Sequence, residues 1–374
     1  MTISYTVGDL PIWRGAQETP AFEVAPFTFE LDVAGIVRLQ HSAITEALMA
    51  AYADLSYHFI TSPPGASRWG NELAGKSLDG LVALHPQLVG TDVLELGGGT
   101  LFSAEHLVSR LGVRSVTLVD PAVHEAPTDD RVQVIREYFG FDTPLDRRFP
   151  VIMSFNTLEH VPDPVAFLRA ARERLEDDGV LYLKMPECEA SLEMGDLGLC
   201  VHEHLSYFTE EFLDTVLARA GLQRVGQANY QGALQVLARR TEPAPEARAG
   251  SGARLMDAFA ARAGQHIEWL RAFAQEHSGQ EVAFVGASVG LANLLHLSGI
   301  ADDVLLGIFD GDDLKAGRYL PGVDVAIRRT ADAELARYRH IFVVPVNFAQ
   351  EIRAGLQARP ELSGATIAPA FATA

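Results

Sequence analysis

The chain has 374 residues, with 30 lysines and arginines against 49 aspartates and glutamates, which gives a net charge of −19. This charge argues against nucleic acid or an anionic membrane as the main partner and favours a small-molecule substrate. The N-terminus has no basic start followed by an apolar core, and no run of about 18 apolar residues occurs, so we expect a cytoplasmic monomer or homodimer. The two cysteines indicate neither a disulfide framework nor a zinc site.

The first of three expected regions spans residues 1–80. It has a proline-rich start, then apolar residues at helical spacing from Ile44 to Tyr52, then the turn-forming sequence Ser-Pro-Pro-Gly at 62–65. These patterns predict a mainly helical cap or lid.

The second region, residues 81–240, alternates strands with helices. Strands are predicted at 93–96, 116–119, 132–135, 151–155 and 180–183, with mostly helical segments between them. Such alternation is typical of a doubly wound α/β sheet, which holds its ligands at the carboxyl ends of the strands.

A glycine turn follows the first predicted strand of this sheet. Residues 95–101 read Glu-Leu-Gly-Gly-Gly-Thr-Leu, and Asp120 ends the second strand. Glycines allow a tight turn close to a ligand, and an acid at the second strand end can bind ribose hydroxyls. Phe102 stands where a dinucleotide-binding turn needs its third glycine, so the pattern instead resembles that of class I S-adenosylmethionine (SAM) methyltransferases. A turn without a ligand is the alternative. We expect SAM to be bound by Glu95, Gly97, Gly98, Gly99, Asp120, Pro121 and Asn156.

Ionisable residues occur in two loops at the same edge of the sheet. His160 follows the fourth strand, and His202-Glu203-His204 follows the fifth. A histidine can accept a proton near neutral pH, and a neighbouring carboxylate can orient it. His160 could instead only cap a helix, and His202 with His204 could bind a metal. Because further ligands are few, we expect no metal.

The third region, residues 253–374, follows a linker rich in proline, glycine and serine. A long helix at about 253–277 leads into a strand and a second glycine turn, Gly286-Ala287-Ser288, and another strand ends at Asp310. We expect a second Rossmann-like domain that binds a nucleotide-bearing or phosphorylated substrate across the interdomain cleft. A glycine turn that serves only packing is the alternative.

The chain resembles the sugar C-methyltransferases of deoxysugar and antibiotic biosynthesis, which methylate C3 of nucleotide-linked 4-keto sugars. The resemblance runs from about residue 29 to residue 369. Its matching segments are residues 95–99, 120–122, 156–160, 202–208, 286–288, 315–322 and 347–352.

The resemblance implies that a base removes the proton α to a ketone and that the resulting enolate attacks the methyl group of SAM. It assigns the base to His204, with Glu203 beside it, and places His160 and an N-terminal tyrosine, Tyr57, at the substrate. The expected substrate contacts are His202, Tyr207, Gly286, Ser288, Asp310, Lys315, Arg318 and Asn347.

The sequence departs from this family at four places. Residues 31–39 keep the pattern around the usual zinc module but have no cysteine. Val201 replaces a tyrosine, Gly290 replaces a lysine that would contact an anionic nucleotide, and residues 344–347 lack a tryptophan. These changes leave the sugar and its nucleotide open. The alternatives are an O- or N-methyltransferase of a secondary metabolite and a non-catalytic ligand-binding paralogue.

Overall fold

The N-terminal part of the molecule is a three-stranded antiparallel sheet. The structure, a computed structural model, describes residues 3–53, 63–65, 68–230 and 232–371. The sheet consists of β1 (Ser4–Pro11), β2 (Val24–Leu31) and β3 (Val37–Leu39). These strands differ from the mainly helical cap expected for this region. On β2 the buried residues Ala25, Phe27 and Phe29 alternate with more exposed ones, and this period of two is that of a strand.

A carboxylate holds the turn between β2 and β3, in the segment where the resemblance would place a zinc module. Asp32 Oδ1 accepts hydrogen bonds from the backbone N–H groups of Ala34 and Ile36 at 2.8 and 3.0 Å. Hydrogen bonds to a charged group contribute about 1.5–3 kcal/mol each. The side chain of Asp32 therefore stabilises this turn.

Between this sheet and the next, the described residues form two helices, α1 (Ala43–Ala51) and α2 (Arg68–Leu84). Ser42 and Thr45 form a capping box at the start of α1. Helix α2 crosses the expected domain boundary at residues 80–81 and packs against the last two strands of the central sheet. We propose that α2 belongs to the second domain.

The central sheet has seven strands: β4 (Asp92–Leu96), β5 (Ser115–Val119), β6 (Val132–Ile135), β7 (Phe149–Phe155), β8 (Leu175–Pro186), β9 (Leu222–Tyr230) and β10 (Ala233–Arg240). Their order is β6-β5-β4-β7-β8-β10-β9, with β10 antiparallel to both neighbours and the other pairs parallel. The intervening helices are α3 (Phe102–Arg110), α4 (Pro164–Arg174), α5 (Glu189–Met194) and α6 (Glu210–Ala220). This confirms the predicted doubly wound sheet, and its strand order reverses between β4 and β7, where such sheets bind ligands.

The C-terminal part is a second Rossmann-like sheet, as predicted. Its elements are α7 (Gly252–Glu276), β11 (Glu281–Val285), α8 (Val289–Ser298), β12 (Leu305–Asp310), β13 (Ile327–Arg329), β14 (His340–Val343), α9 (Ala349–Gln357) and β15 (Thr366–Pro369). The five strands are parallel in the order β13-β12-β11-β14-β15.

One apolar core joins the three sheets. Phe29 of the first sheet, Leu183 of the second and Phe284 of the third belong to a single cluster of buried side chains. Helix α7 contributes Leu255 and Phe259 to the same cluster. The three parts are therefore held by direct packing. None of the described helices is both long and apolar enough to cross a lipid bilayer.

Candidate active site

A cavity of about 620 Å³ opens at the carboxyl ends of β4, β5 and β7. Ligand pockets are usually about 300–1,000 Å³, so it can hold a cofactor together with part of a substrate. Its described lining residues all lie between residues 49 and 167. They include the glycine turn after β4, the end of β5, the loop after β7, and Met49, Ala50, Tyr52 and Leu73 on the N-terminal side.

The glycine turn is fixed by backbone geometry and by Asp120. Gly97 and Gly99 have φ angles of +75° and +65°, which L side chains rarely adopt. Asp120 Oδ2 accepts a hydrogen bond from the Gly99 N–H at 2.7 Å, and Oδ1 accepts one from the Ala122 N–H at 2.6 Å. A carboxylate has lone pairs beyond these two, so Asp120 can hold the turn and still accept ribose hydroxyls.

Glu95 lies beneath the turn with both carboxyl oxygens buried and without a hydrogen-bond partner among the described residues. Burial, together with the nearby charge of Asp120, raises the pKa of Glu95 to about 8. An unpaired buried polar group costs about 1–3 kcal/mol. A ligand that brings N–H or O–H donors to this turn would offset that cost, so the predicted cofactor residues fit SAM.

Asn156 forms part of the cavity wall after β7. Its φ of +48° is unusual for a residue other than glycine. The Lys184 ammonium donates a hydrogen bond to Asn156 Oδ1 at 2.6 Å. Because an ammonium can only donate, the amide oxygen is the atom that faces Lys184, and the amide N–H groups remain available to a ligand.

His160 lines the cavity in a fixed orientation. Its Nδ1 lies 2.9 Å from the backbone carbonyl oxygen of Glu203 and 2.9 Å from the Tyr52 hydroxyl. The Tyr52 hydroxyl in turn donates a hydrogen bond to Glu203 Oε2 at 2.8 Å. A carbonyl oxygen only accepts, so Nδ1 carries the proton and Nε2 keeps a lone pair. The network therefore presents His160 with Nε2 as a proton acceptor.

His204 packs edge-on against His160, with 4.9 Å between the ring centroids. His160, and not His204, is among the described residues that line the cavity. Burial lowers the pKa of His160 to about 4, and burial together with the neighbouring His160 lowers the pKa of His204 well below its usual value. The site thus contains two adjacent imidazoles that stay neutral at physiological pH and can accept a proton.

Glu159, His160 and His204 bring ligand-type atoms within 4.8 Å of one another. The pairing of His202 with His204 considered from the sequence does not form, because His202 faces the N-terminal sheet. Burial raises the pKa of Glu159 to about 7, while the nearby Lys184 charge lowers it. This ammonium is an internal counterion for the carboxyl group and would repel a divalent cation.

Two of the predicted substrate contacts face the N-terminal sheet. His202 Nε2 lies 3.3 Å from the Ala25 carbonyl oxygen, and its ring packs on Phe27. Tyr207 is fully buried against Phe29.

Tyr57 lies outside the described residues, and Tyr52 is the N-terminal tyrosine that the structure places in the site. Tyr52 follows Thr45 and Leu48, the buried residues of α1, at helical spacing. This periodicity is the sequence signal that could have identified it.

The second glycine turn repeats the geometry of the first in the C-terminal sheet. Gly286 has a φ of +105°, and a Cβ there would meet the Pro345 ring at 2.4 Å. Asp310 Oδ2 accepts hydrogen bonds from the Ala287 N–H at 2.8 Å and from Lys315 Nζ at 2.9 Å. The carboxylate of Asp310 thus has an ionic partner within its own domain.

The other predicted C-terminal contacts also lie apart from the described cavity wall. Ser288 precedes α8, and its side chain makes no capping hydrogen bond there. Arg318 donates to the Ala16 carbonyl oxygen at 3.2 Å, and the Asn347 side chain lies against Gly232 in the turn between β9 and β10.

Solved structures with a similar fold include methyltransferases from two bacteria. One is the 1,6-didemethyltoxoflavin-N1-methyltransferase of Burkholderia thailandensis, at 19% identity over 62% of this chain and 100% of its own, with a TM-score of 0.42. Another is the N,N-8-amino-8-demethyl-D-riboflavin dimethyltransferase of Streptomyces davawensis, at 18% identity over 46% of this chain and 56% of its own, with a TM-score of 0.36. No curated protein sequence matches the chain significantly.

Two family models match consecutive parts of the chain. Residues 68–227 match a methyltransferase domain, and this range contains strands β4 to β8, the glycine turn, and the loops that carry His160 and His202 to His204. Residues 235–370 match the C-methyltransferase C-terminal domain. The chain therefore carries these two domains in sequence, and it is a SAM-dependent methyltransferase.

Proposed function

We propose that this enzyme transfers a methyl group to a carbon atom next to a carbonyl group. The observation that carries the proposal is the pair of adjacent neutral imidazoles, His160 in the cavity wall and His204 packed against it. A C–H group α to a ketone must lose its proton before the carbon can act as a nucleophile, and a neutral imidazole is suited to that task. The match to a C-methyltransferase C-terminal domain supports the same reaction.

His204 is the base in this proposal, as the family resemblance implies, and its ring packs against His160, which lines the cavity. When bound, SAM supplies a methyl group made electrophilic by its sulfonium. The imidazole takes the α-proton, and the C–H electron pair passes into the enolate. The Asn156 amide can donate to the developing oxyanion, while Tyr52 and the Glu203 carboxylate keep His160 oriented. His160 Nε2 is the second candidate for the base, favoured by its place in the cavity wall.

The acceptor we propose is a nucleotide-activated keto sugar or a related metabolite. The matching segments in the C-terminal domain support it, and Arg318 and Lys315 are cations in that domain, with Lys315 paired to Asp310. Calorimetry with S-adenosylhomocysteine (SAH), followed by nucleoside diphosphates in its presence, identifies the nucleotide. If SAH binds and no nucleoside diphosphate does, the nucleotide-sugar acceptor is excluded.

Proton exchange tests the reaction type. The enzyme with SAH should exchange the C3 proton of a deoxythymidine-diphosphate-linked 4-keto deoxysugar in D₂O, followed by NMR, although no methyl donor is present. O- or N-methylation predicts no such exchange. His204→Gln should lower the rate about a hundredfold or more while SAH affinity stays the same. If His160→Gln alone has this effect, the base is His160.

A further inference from the structure

Helix α8 of the C-terminal domain packs directly on the segment that leads to the predicted base. Residues 196–204 form this segment, the histidine loop. It runs through a short helical turn, Leu197–Leu199, and ends at His204. Gly290, in the first turn of α8, faces Gly198 so closely that a Cβ on Gly290 would lie 3.1 Å from the Gly198 Cα and N atoms. With a glycine on each side, the two backbones meet without intervening side chains.

Asn293, one turn further along α8, binds the histidine loop through its side chain. Its Nδ2 donates hydrogen bonds to the carbonyl oxygens of Leu197 and Cys200, both at 3.0 Å. The residue is fully buried, and its Oδ1 has no partner among the described residues. An unpaired buried oxygen is unfavourable, so this amide contributes less to stability than its two hydrogen bonds alone would indicate. What the amide adds is a defined position for two loop carbonyls.

Backbone hydrogen bonds hold the histidine loop between this anchor and His204. The Val201 N–H donates to the Leu199 carbonyl oxygen at 2.8 Å, and the His204 N–H donates to the Val201 carbonyl oxygen at 2.9 Å. Beyond His204, the Leu205 N–H donates to the Glu159 carbonyl oxygen at 2.7 Å. A displacement at Leu197 or Cys200 therefore reaches the imidazole through a hydrogen-bonded chain of a few residues.

We propose that α8 positions the histidine loop and that Asn293 is a positioning residue for His204. The C-terminal domain would then act on the reaction through its packing on the methyltransferase domain, in addition to any substrate contact. The inference depends on the proposed role of His204. A Cβ at position 290 would lie 3.1 Å from the Gly198 backbone, which would have to shift, so glycine permits this close approach.

The test uses the full-length enzyme with SAH bound and histidine labelled with ¹³C at Cε1. His204 is assigned with His204→Gln, and its pKa is measured by NMR titration. Asn293→Leu removes both hydrogen bonds at similar volume and should raise the pKa of His204 by about one unit, since a displaced imidazole gains solvent. Gly290→Ala should shift it in the same direction. In the described part of the chain, the titratable groups near His204 include Glu159, His160 and the adjacent Glu203, and neither substitution alters them.

Leu356→Ala is the matched control, because Leu356 is buried on α9, in a core cluster of the C-terminal domain that does not include α8. It should lower the melting temperature without shifting the His204 titration. In the proton-exchange assay, Asn293→Leu should lower kcat about tenfold or more, with KM and SAH affinity little changed. An unshifted His204 pKa in both α8 variants, or an equal shift in Leu356→Ala, would overturn the inference. If the wild-type enzyme exchanges no proton, the proposed function fails, and the titration still tests the positioning.

Discussion

Asp120 and Asp310 occupy equivalent places in two sheets, so each is a control for the other. Asp120 accepts hydrogen bonds from two backbone N–H groups at 2.7 and 2.6 Å, and Asp310 accepts from two at 2.8 Å. Each lies at the carboxyl end of a strand, β5 for Asp120 and β12 for Asp310, that pairs with the first strand of its sheet. Substitution by alanine leaves two N–H groups without an acceptor in either case, at a cost of about 1–3 kcal/mol for each group that stays buried. Both variants should therefore lose stability.

Only Asp120 lines the cofactor cavity, so only Asp120→Ala should weaken the binding of SAH. A hydrogen bond from a ribose hydroxyl to a carboxylate is worth about 1.5–3 kcal/mol. Loss of one such bond raises Kd about 10- to 150-fold. Isothermal titration calorimetry with SAH measures this change, and the melting temperature of each variant is recorded in parallel.

The comparison between the two variants decides the interpretation. Asp310→Ala should bind SAH within about twofold of the wild-type enzyme, because distant sites with no shared partners behave nearly independently. A Kd for Asp120→Ala within about threefold of wild type would refute the ribose contact, since that is less than one such hydrogen bond. Equal weakening in both variants would instead show that instability is transmitted through the shared core.

Three other predictions concern the cavity. Tyr52→Phe removes the hydroxyl that donates to Glu203 and should slow α-proton exchange about 10- to 150-fold, as followed by NMR in D₂O. An unchanged rate would exclude the hydrogen bonds of Tyr52 with Glu203 and His160 from catalysis. Because burial lowers the pKa of His160 to about 4 and that of His204, the proposed base, well below its usual value, both imidazoles stay neutral at low pH, and exchange should stay level from about pH 8 to pH 5. A rate that falls below about pH 6.5 would contradict this. Gly97→Ala would place a Cβ 2.3 Å from a threonine hydroxyl and should abolish SAH binding in calorimetry, whereas Gly264→Ala, with open space around it, should not.

The sequence predicts the five parallel strands of the central sheet because most of them are buried on both faces and read as apolar runs, but it does not predict the antiparallel strands β9 and β10. Residues 93–96 and 116–119 are almost entirely apolar, and the structure places strands there. The sequence does not predict the N-terminal sheet because the alternation of β1 breaks at a bulge between Thr6 and Gly8. The two buried phenylalanines of β2 alternate clearly, but Pro26 within the strand weakens its strand pattern.

The candidate site depends on contacts between residues far apart in the chain. The motifs indicate that the glycine turn, the loop with His160 and the histidine loop meet at one edge of the sheet, because each follows a strand of that sheet. They cannot indicate that Tyr52 reaches Glu203, which lies 151 positions away. Lys184 falls just beyond the predicted end of its strand, and its association with Glu159 depends on how β8 meets the loop after β7. Such pairings follow from packing, which a single sequence does not specify.

The two glycine turns show why a motif alone does not determine what binds to it. Both combine a left-handed glycine with an acid that accepts hydrogen bonds from the turn. At the first turn, Asp120 lines a cavity and keeps lone pairs beyond those that accept from the turn, so a ligand with hydroxyl donors gains hydrogen bonds there. At the second turn, Lys315 already pairs with Asp310, and Gly290 packs on the histidine loop. The electrostatic difference favours a cationic, hydroxyl-bearing ligand at the first turn, and the calorimetric comparison of the two aspartate variants measures that difference directly.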